Sequence, residues 1–153
     1  MYNQPLKFSL RPAIALDIDF IWQLRVTTLK EAISQSYGWD EPTQRSYAAE
    51  SLAGNIVLVK SNRVGVITIS DWSDQLHLTF VALLPQYQGR GLGSQLIKYA
   101  RNKATVECKP LSLQVLKNNP AKLFYEKHGF KAGDCNGAAK LLMQWQPDNY
   151  HRK

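Results

Sequence analysis

Cysteine is scarce in this sequence: two of 153 residues, Cys108 and Cys135, with no C-x-x-C pair. Two isolated thiols exclude a disulfide scaffold and a cysteine zinc site, and are expected as reduced, semi-buried side chains. No metal is expected. Long apolar runs are also missing, and none approaches the roughly 20 residues that cross a bilayer. Met1–Leu10 carries Asn3, Gln4, Pro5 and Lys7 where a secretory signal would be continuously apolar, so a cytoplasmic location is expected. There is no internal repeat, low-complexity segment or linker. Acidic residues are in the minority, 12 against 19 Lys and Arg, for a formal net charge of +7. The basic residues are scattered, and only the tail Tyr150-His151-Arg152-Lys153 clusters. Without a basic helix face or a basic–aromatic ribbon, neither nucleic acid nor membrane is the expected partner. The surplus suits a phosphate-bearing small molecule instead.

The chain is 44% hydrophobic and 20% charged, enough for a real core in one domain spanning 1–153. Leu6–Arg11 alternates apolar and polar, which predicts a half-buried strand ended by Pro12. Leu16–Ser36 has helical spacing, with Asp17 as its expected N-cap, and Thr43–Leu52 follows with Thr43 as cap. Asn55–Lys60 and Val64–Ser70 read as a hairpin about a Ser61-Asn62 turn, and Leu76–Leu84 as a third strand. Then come a helix over Gly91–Thr105, a strand over Leu111–Leu116 and a helix from Asn119 to His128. Asn119 caps that last helix, Pro120 sits in its first turn and Gly129 follows its end. Phe130–Ala132 and Lys140–Trp145 close the chain as strands. The order is β-α-α-β-β-β-α-β-α-β-β, an α/β domain in which the strand–helix–strand pieces predict local parallel pairing.

The chemically richest segment is Gln88-Gly89-Arg90-Gly91-Leu92-Gly93-Ser94, between a strand and a helix. Glycines there let the chain turn tightly and aim several N–H groups into one concavity, and the helix adds its positive end. Arg90 adds a charge-assisted donor. The dinucleotide pattern G-x-G-x-x-G fails by one residue, and the triphosphate loop lacks its Gly-Lys-Ser/Thr. What remains is Q-x-x-G-x-G, filled by Gln88, Gly91 and Gly93.

Leu84-Pro85-Gln86-Tyr87-Gln88-Gly89-Arg90-Gly91-Leu92-Gly93-Ser94 resembles the acetyl-CoA loop of the GNAT N-acetyltransferases. Asn119-Pro120-Ala121-Lys122-Leu123-Phe124-Tyr125 through Gly129-Phe130 resembles that family's second signature, and Leu10-Arg11-Pro12-Ala13 with Asp17 its opening. The resemblance covers most of the chain and is weakest from Glu31 to Gly54. It implies a mixed sheet of about seven strands with flanking helices, splayed between the fourth and fifth strands. It implies acetyl-CoA as co-substrate and a small-molecule or peptide amine as acceptor, attacked directly in a ternary complex. The backbone of Gln88 to Ser94 would hold the pyrophosphate. The pantetheine arm would lie along Ala82, Leu83 and Leu84, hydrogen-bonding the Leu83 backbone, with Asn118 or Asn119 on its other side. Tyr125 would be the general acid toward the departing thiolate. A homodimer is a further implication. Two other readings stay open: a different acyl donor, and a non-catalytic acyl-CoA sensor.

The amine's proton acceptor is expected to be Glu31 or His77, directly or through water. Asp40 and Glu41 lie near Glu31 in the region where the family builds its acceptor site, and His77 and Thr79 alternate onto one face of a strand. Tyr37-Gly38-Trp39 has two readings, a pocket for a cationic amine or a loop that plugs its aromatics into the core.

Overall fold

The computed structural model describes residues 6–136 and 139–151, the side chains of 134–136 excepted. The expectations placed on Met1–Pro5, the Cys135 side chain and Arg152-Lys153 lie outside the described residues. The elements are β1 (Ser9–Pro12), α1 (Ile18–Ser36), α2 (Glu41–Glu50), β2 (Asn55–Val59), β3 (Asn62–Asp71), β4 (Leu76–Leu83), α3 (Leu92–Glu107), β5 (Leu111–Leu116), α4 (Ala121–Lys127), β6 (Lys131–Asn136) and β7 (Lys140–Trp145). This is the expected order. Seven strands form one sheet in the order β1-β2-β3-β4-β5-β7-β6. β4 and β5 pair in parallel, as a helical crossover through α3 requires. Their ladder joins Leu76–Leu78 to Leu111–Leu113 only, and Thr79–Leu83 of β4 takes no part in it. That is the expected splay between the fourth and fifth strands. No described helix is long and apolar enough to cross a membrane.

The chain forms two compact units. The first comprises Met1–Glu31, Trp39–Thr68 and Phe80–Leu96; the second comprises Ala32–Gly38, Ile69–Thr79 and Ile97–Lys153. In the first, Ile21, Trp22 and Leu24 on one face of α1 pack with Ala48, Ile56, Val66, Phe80 and Ala82. Fully burying one such side chain is worth about 1.5–3 kcal/mol. In the second, β5 lies between β4 and β7 and reads Leu-Ser-Leu-Gln-Val-Leu, apolar enough to be covered on both faces. Ile97, Ala100 and Ala104, at helical spacing on α3, are buried in the same unit, as are Leu141 and Met143 of β7.

Several boundaries differ from expectation, each for a local reason. β1 is shifted to Ser9–Pro12, and Pro12 pairs with Asn55. As the end of an edge strand, that position tolerates a residue without an N–H. Asp17 is not the cap of α1. It ends a 3₁₀ turn, Ala15–Asp17, and its buried carboxylate accepts from the Ile14 N–H at 2.8 Å and from Arg11 at 2.8 and 2.9 Å. Arg63 donates to the same carboxylate at 3.1 Å. These donors, the Arg11 guanidinium first, hold the Asp17 carboxyl well below the usual range. Thr43 is not the cap of α2 either. Asp40 caps it, accepting from the Thr43 N–H at 3.1 Å and from the Thr43 hydroxyl. The hairpin turn is Lys60-Ser61, with φ of 51° and 68°, the left-handed pair that matches the twist of the flanking strands. Cys108 is exposed, not semi-buried.

Candidate active site

In the first unit, β4 delivers the chain at Leu83, and the Leu84 N–H donates to the Val64 carbonyl at 2.8 Å. A 3₁₀ turn over Pro85–Tyr87 follows, and α3 then starts at Leu92, which is fully buried and anchors the helix. Between these fixed points runs Gln88-Gly89-Arg90-Gly91, all exposed. Gly89 and Gly91 have φ of +72° and +83°. Nothing lies within 4 Å of where their Cβ atoms would be. The glycines are therefore needed for backbone conformation, and the space beside them is open. The first N–H groups of α3 have no acceptor inside their own helix. The Gln88 side chain donates to the Leu83 carbonyl at 3.0 Å, tying the loop back to the strand end. The Arg90 guanidinium lies 5.4 Å from the Tyr87 ring centre. Open glycine backbone, a helix start and a guanidinium suit a polyphosphate.

In the second unit, Tyr125 is the half-buried centre of an aromatic group. Its ring meets Phe124 at 5.5 Å and Phe130 at 5.8 Å, both edge-on. Gly129, at φ +92°, lets the chain reverse so that the Phe130 N–H reaches the Tyr125 carbonyl at 3.1 Å. Burial pushes the phenol up to about 12, so it holds its proton throughout the neutral range. Asn119 accepts the Ala121 N–H at 2.9 Å in a turn just ahead of α4, whose N-cap is Pro120 and not, as expected, Asn119. The Asn118 amide points elsewhere, to the Ala32 carbonyl at the end of α1, at 3.5 Å.

His77 is buried in β4. Its ring stacks on Trp72 at 3.9 Å and 12°, and its Nδ1 lies 2.8 Å from Ser112 Oγ, directly across the β4–β5 ladder. Burial pulls its pKa down to about 4, which keeps the ring neutral. Thr79 points to the surface and shares a hydrogen bond with Ser70 at 2.6 Å. Glu31 is exposed on α1. The two loop aromatics part company. Trp39 packs on the first unit's core, 5.8 Å from Trp22, as the plug reading expects. Tyr37 stays exposed in the second unit, with Lys140 Nζ 5.3 Å above its ring. Asp40 is spent on capping α2, and Glu41 occupies that helix's first turn, where a carboxylate is favoured anyway. Those acids therefore need no cationic ligand to explain them. Ser112, Trp72 and Lys140 escaped sequence reasoning because each meets its partner only through sheet pairing or packing.

The Acetyltransferase (GNAT) domain matches residues 47–132, more than half of the chain. The protein belongs to the GNAT family. An uncharacterized N-acetyltransferase of Staphylococcus aureus (strain COL) is 29% identical over 111 residues, 71% of this chain and 70% of its own length. The fold is that of solved GNAT relatives. The PaiA N-acetyltransferase of Thermoplasma acidophilum, solved with coenzyme A, superposes with a TM-score of 0.73 at 17% identity over 93% of this chain and all of its own. The ribosomal-protein-S18-alanine N-acetyltransferase of Escherichia coli gives 0.69 at 18% identity, over 92% and 94%. Arabidopsis thaliana Naa50, bound to a bisubstrate analogue, gives 0.67 at 18%, over 92% and 99%. The matched stretch runs from α2 into β6 and contains both the glycine loop and the Tyr125 helix of this GNAT protein.

Proposed function

We propose that this GNAT protein moves an acetyl group from acetyl-CoA to a primary amine by direct attack in a ternary complex. The observation that carries the reading is the exposed Gln88–Gly91 loop, with two left-handed glycines and an open cradle at the start of α3. Its backbone N–H groups and Arg90 bind the pyrophosphate. The pantetheine arm lies along Ala82, Leu83 and Leu84 and hydrogen-bonds the Leu83 backbone, and Asn118 or Asn119 assists from its other side. The bound co-substrate supplies an activated thioester. A backbone N–H near its carbonyl stabilises developing negative charge, and holding both reactants together removes much of the remaining barrier. Tyr125, which burial keeps protonated throughout the neutral range, donates that proton to the departing thiolate.

Glu31 and His77 remain the candidates for accepting the amine's proton. Glu31 has the solvent access that a water-relayed transfer needs. The neutral His77 ring is the right form of a base, but its lowered basicity restricts it to a relay. Residues 1–153 constitute one acetyltransferase domain in this reading, since α1, β3, β4 and α3 each run through both compact units.

The test is calorimetric titration of acetyl-CoA into the wild type and Gly91→Glu, followed by thiol release with a panel of amines. Gly91→Glu places a side chain at φ +83° and a carboxylate among phosphates, and is expected to abolish binding in a folded protein. Equal binding by both proteins would remove the loop from the cofactor site. Binding without thiol release from any amine would favour a sensor.

A further inference from the structure

Three segments of the second unit converge at the carboxyl end of β5. Leu116, the last residue of β5, pairs with Lys140, the first of β7, and the Lys117 N–H donates to the Ala139 carbonyl at 3.0 Å. The turn that follows sends the Asn118 amide to the Ala32 carbonyl of α1. Five residues on, just past the end of α1, the chain reaches Tyr37, and Lys140 Nζ sits over that ring at 5.3 Å. In open sheets with parallel strands, ligands bind outside the carboxyl ends of those strands. Here that end carries an ammonium group standing on an exposed aromatic face. Lys140 is half-buried, as a lysine is when its stem follows the surface and its ammonium stays in water. Among the described residues no carboxylate lies within ion-pair distance of it. The Tyr37 ring, which could have received a cationic amine, is already faced by a cation of the chain.

We propose that Lys140, steadied by Tyr37, selects acceptors that bear a carboxylate as well as the reacting amine. The proposal rests on the acetyltransferase reading for its reaction but not for its recognition. A dication such as a diamine is repelled at this point, whereas an amino acid or a peptide with an acidic side chain gains a charge-assisted hydrogen bond. The shared chemistry is the carboxylate, and small and peptide sources are separated by experiment.

Thiol release would be measured with 4-aminobutyrate, 1,4-diaminobutane, and the amidated tripeptides Ala-Glu-Ala and Ala-Lys-Ala. The same four compounds would be titrated into protein saturated with coenzyme A. The variants are Lys140→Met, which keeps an unbranched stem without the charge, Lys140→Glu, and Lys140→Arg as rescue. Lys60→Glu, the same charge change in the exposed β2–β3 turn, is the control. The wild type is expected to prefer the carboxylate-bearing member of at least one pair, and which pair tells a small acceptor from a peptide. Lys140→Met is expected to lose about five- to tenfold in kcat/KM for that member through KM, with kcat and melting temperature held. Lys140→Glu should invert the preference, Lys140→Arg restore it and Lys60→Glu leave it alone. A wild type indifferent to charge, or a preference unchanged in Lys140→Glu, overturns the proposal. If no amine releases thiol, the acetyl-transfer reading fails by itself. The titrations then still decide for Lys140 or against it, according to whether Lys140→Glu shifts the binding of the carboxylate-bearing compounds.

Discussion

Adding one methyl group at Gly65 tests how the first unit presents its cofactor segment. A Cβ there lies 2.4 Å from the Ala82 carbonyl oxygen and 2.7 Å from Leu83 Cδ2. The leucine tip can rotate away, but the carbonyl belongs to the sheet. Ordinary contact starts at 3.4 Å, so the Ala82 backbone must retreat by about 1.0 Å. Overpacking of this kind costs about 1–3 kcal/mol. For a domain of this size each kcal/mol lowers the melting temperature by about 2–4 °C, so a fall of roughly 2–12 °C is expected. The displaced backbone is the segment assigned to the pantetheine arm, and the Leu84 N–H is bonded to Val64, the neighbour of Gly65. Gly65→Ala should therefore also weaken acetyl-CoA binding, by about fivefold or more if about 1 kcal/mol of the strain reaches that segment. Gly38→Ala is the reference. It has φ of +91° and nothing within 4 Å, so it loses only the left-handed backbone preference, about 1–2 kcal/mol, and keeps its cofactor affinity. The readouts are scanning fluorimetry and calorimetric titration. A Gly65→Ala protein that melts with the wild type would refute the steric step. One that melts lower yet binds acetyl-CoA unchanged would break the link from Gly65 to the cofactor segment.

Tyr125→Phe is expected to lower kcat by about 10²–10⁴-fold with little change in KM, because the ring packing survives and only the proton donor is lost. The wild-type profile should show no loss of this acid below the ordinary phenol range, since burial raises its pKa to about 12; an unchanged kcat in the variant would remove Tyr125 from the chemistry. His77 sets a pH dependence of stability. Its folded pKa of about 4 lies below the unfolded value of about 6.5, so the unfolded state takes up the proton first as the solution is acidified. Its contribution is complete above about pH 6.5 and fades as pH falls toward 4. Solvent screening limits the loss to at most about 2 kcal/mol. Denaturant unfolding of the wild type and His77→Gln from pH 8 to 4.5 should show the steeper loss in the wild type, and parallel curves would contradict it. That window also stays clear of Asp17, whose stabilising contribution fades mainly as pH falls below the unfolded carboxyl's value of about 3.9.

Much of this protein was legible without coordinates because its signals are local. The loop Gln88–Ser94, the Asn119-Pro120 turn that leads into α4, and the Gly129 reversal each declare themselves within a few residues, where backbone conformation is decided by the residue types present. Element order followed from the alternation of periods, since a strand and a helix expose different repeats of the same apolar residues. Boundaries were less secure where two polar residues compete for one role, as Asp40 and Thr43 do at the start of α2. What tertiary structure alone decided is who meets whom. Asp17 and Arg63 are 46 residues apart, His77 and Ser112 are 35 apart, and Tyr37 meets Lys140 from the other end of the chain. A period says which face of an element is buried but not which element covers it. Those partners exist only because strand register and the α3 crossover place distant residues side by side, and the burial that results sets the protonation of His77 and Tyr125.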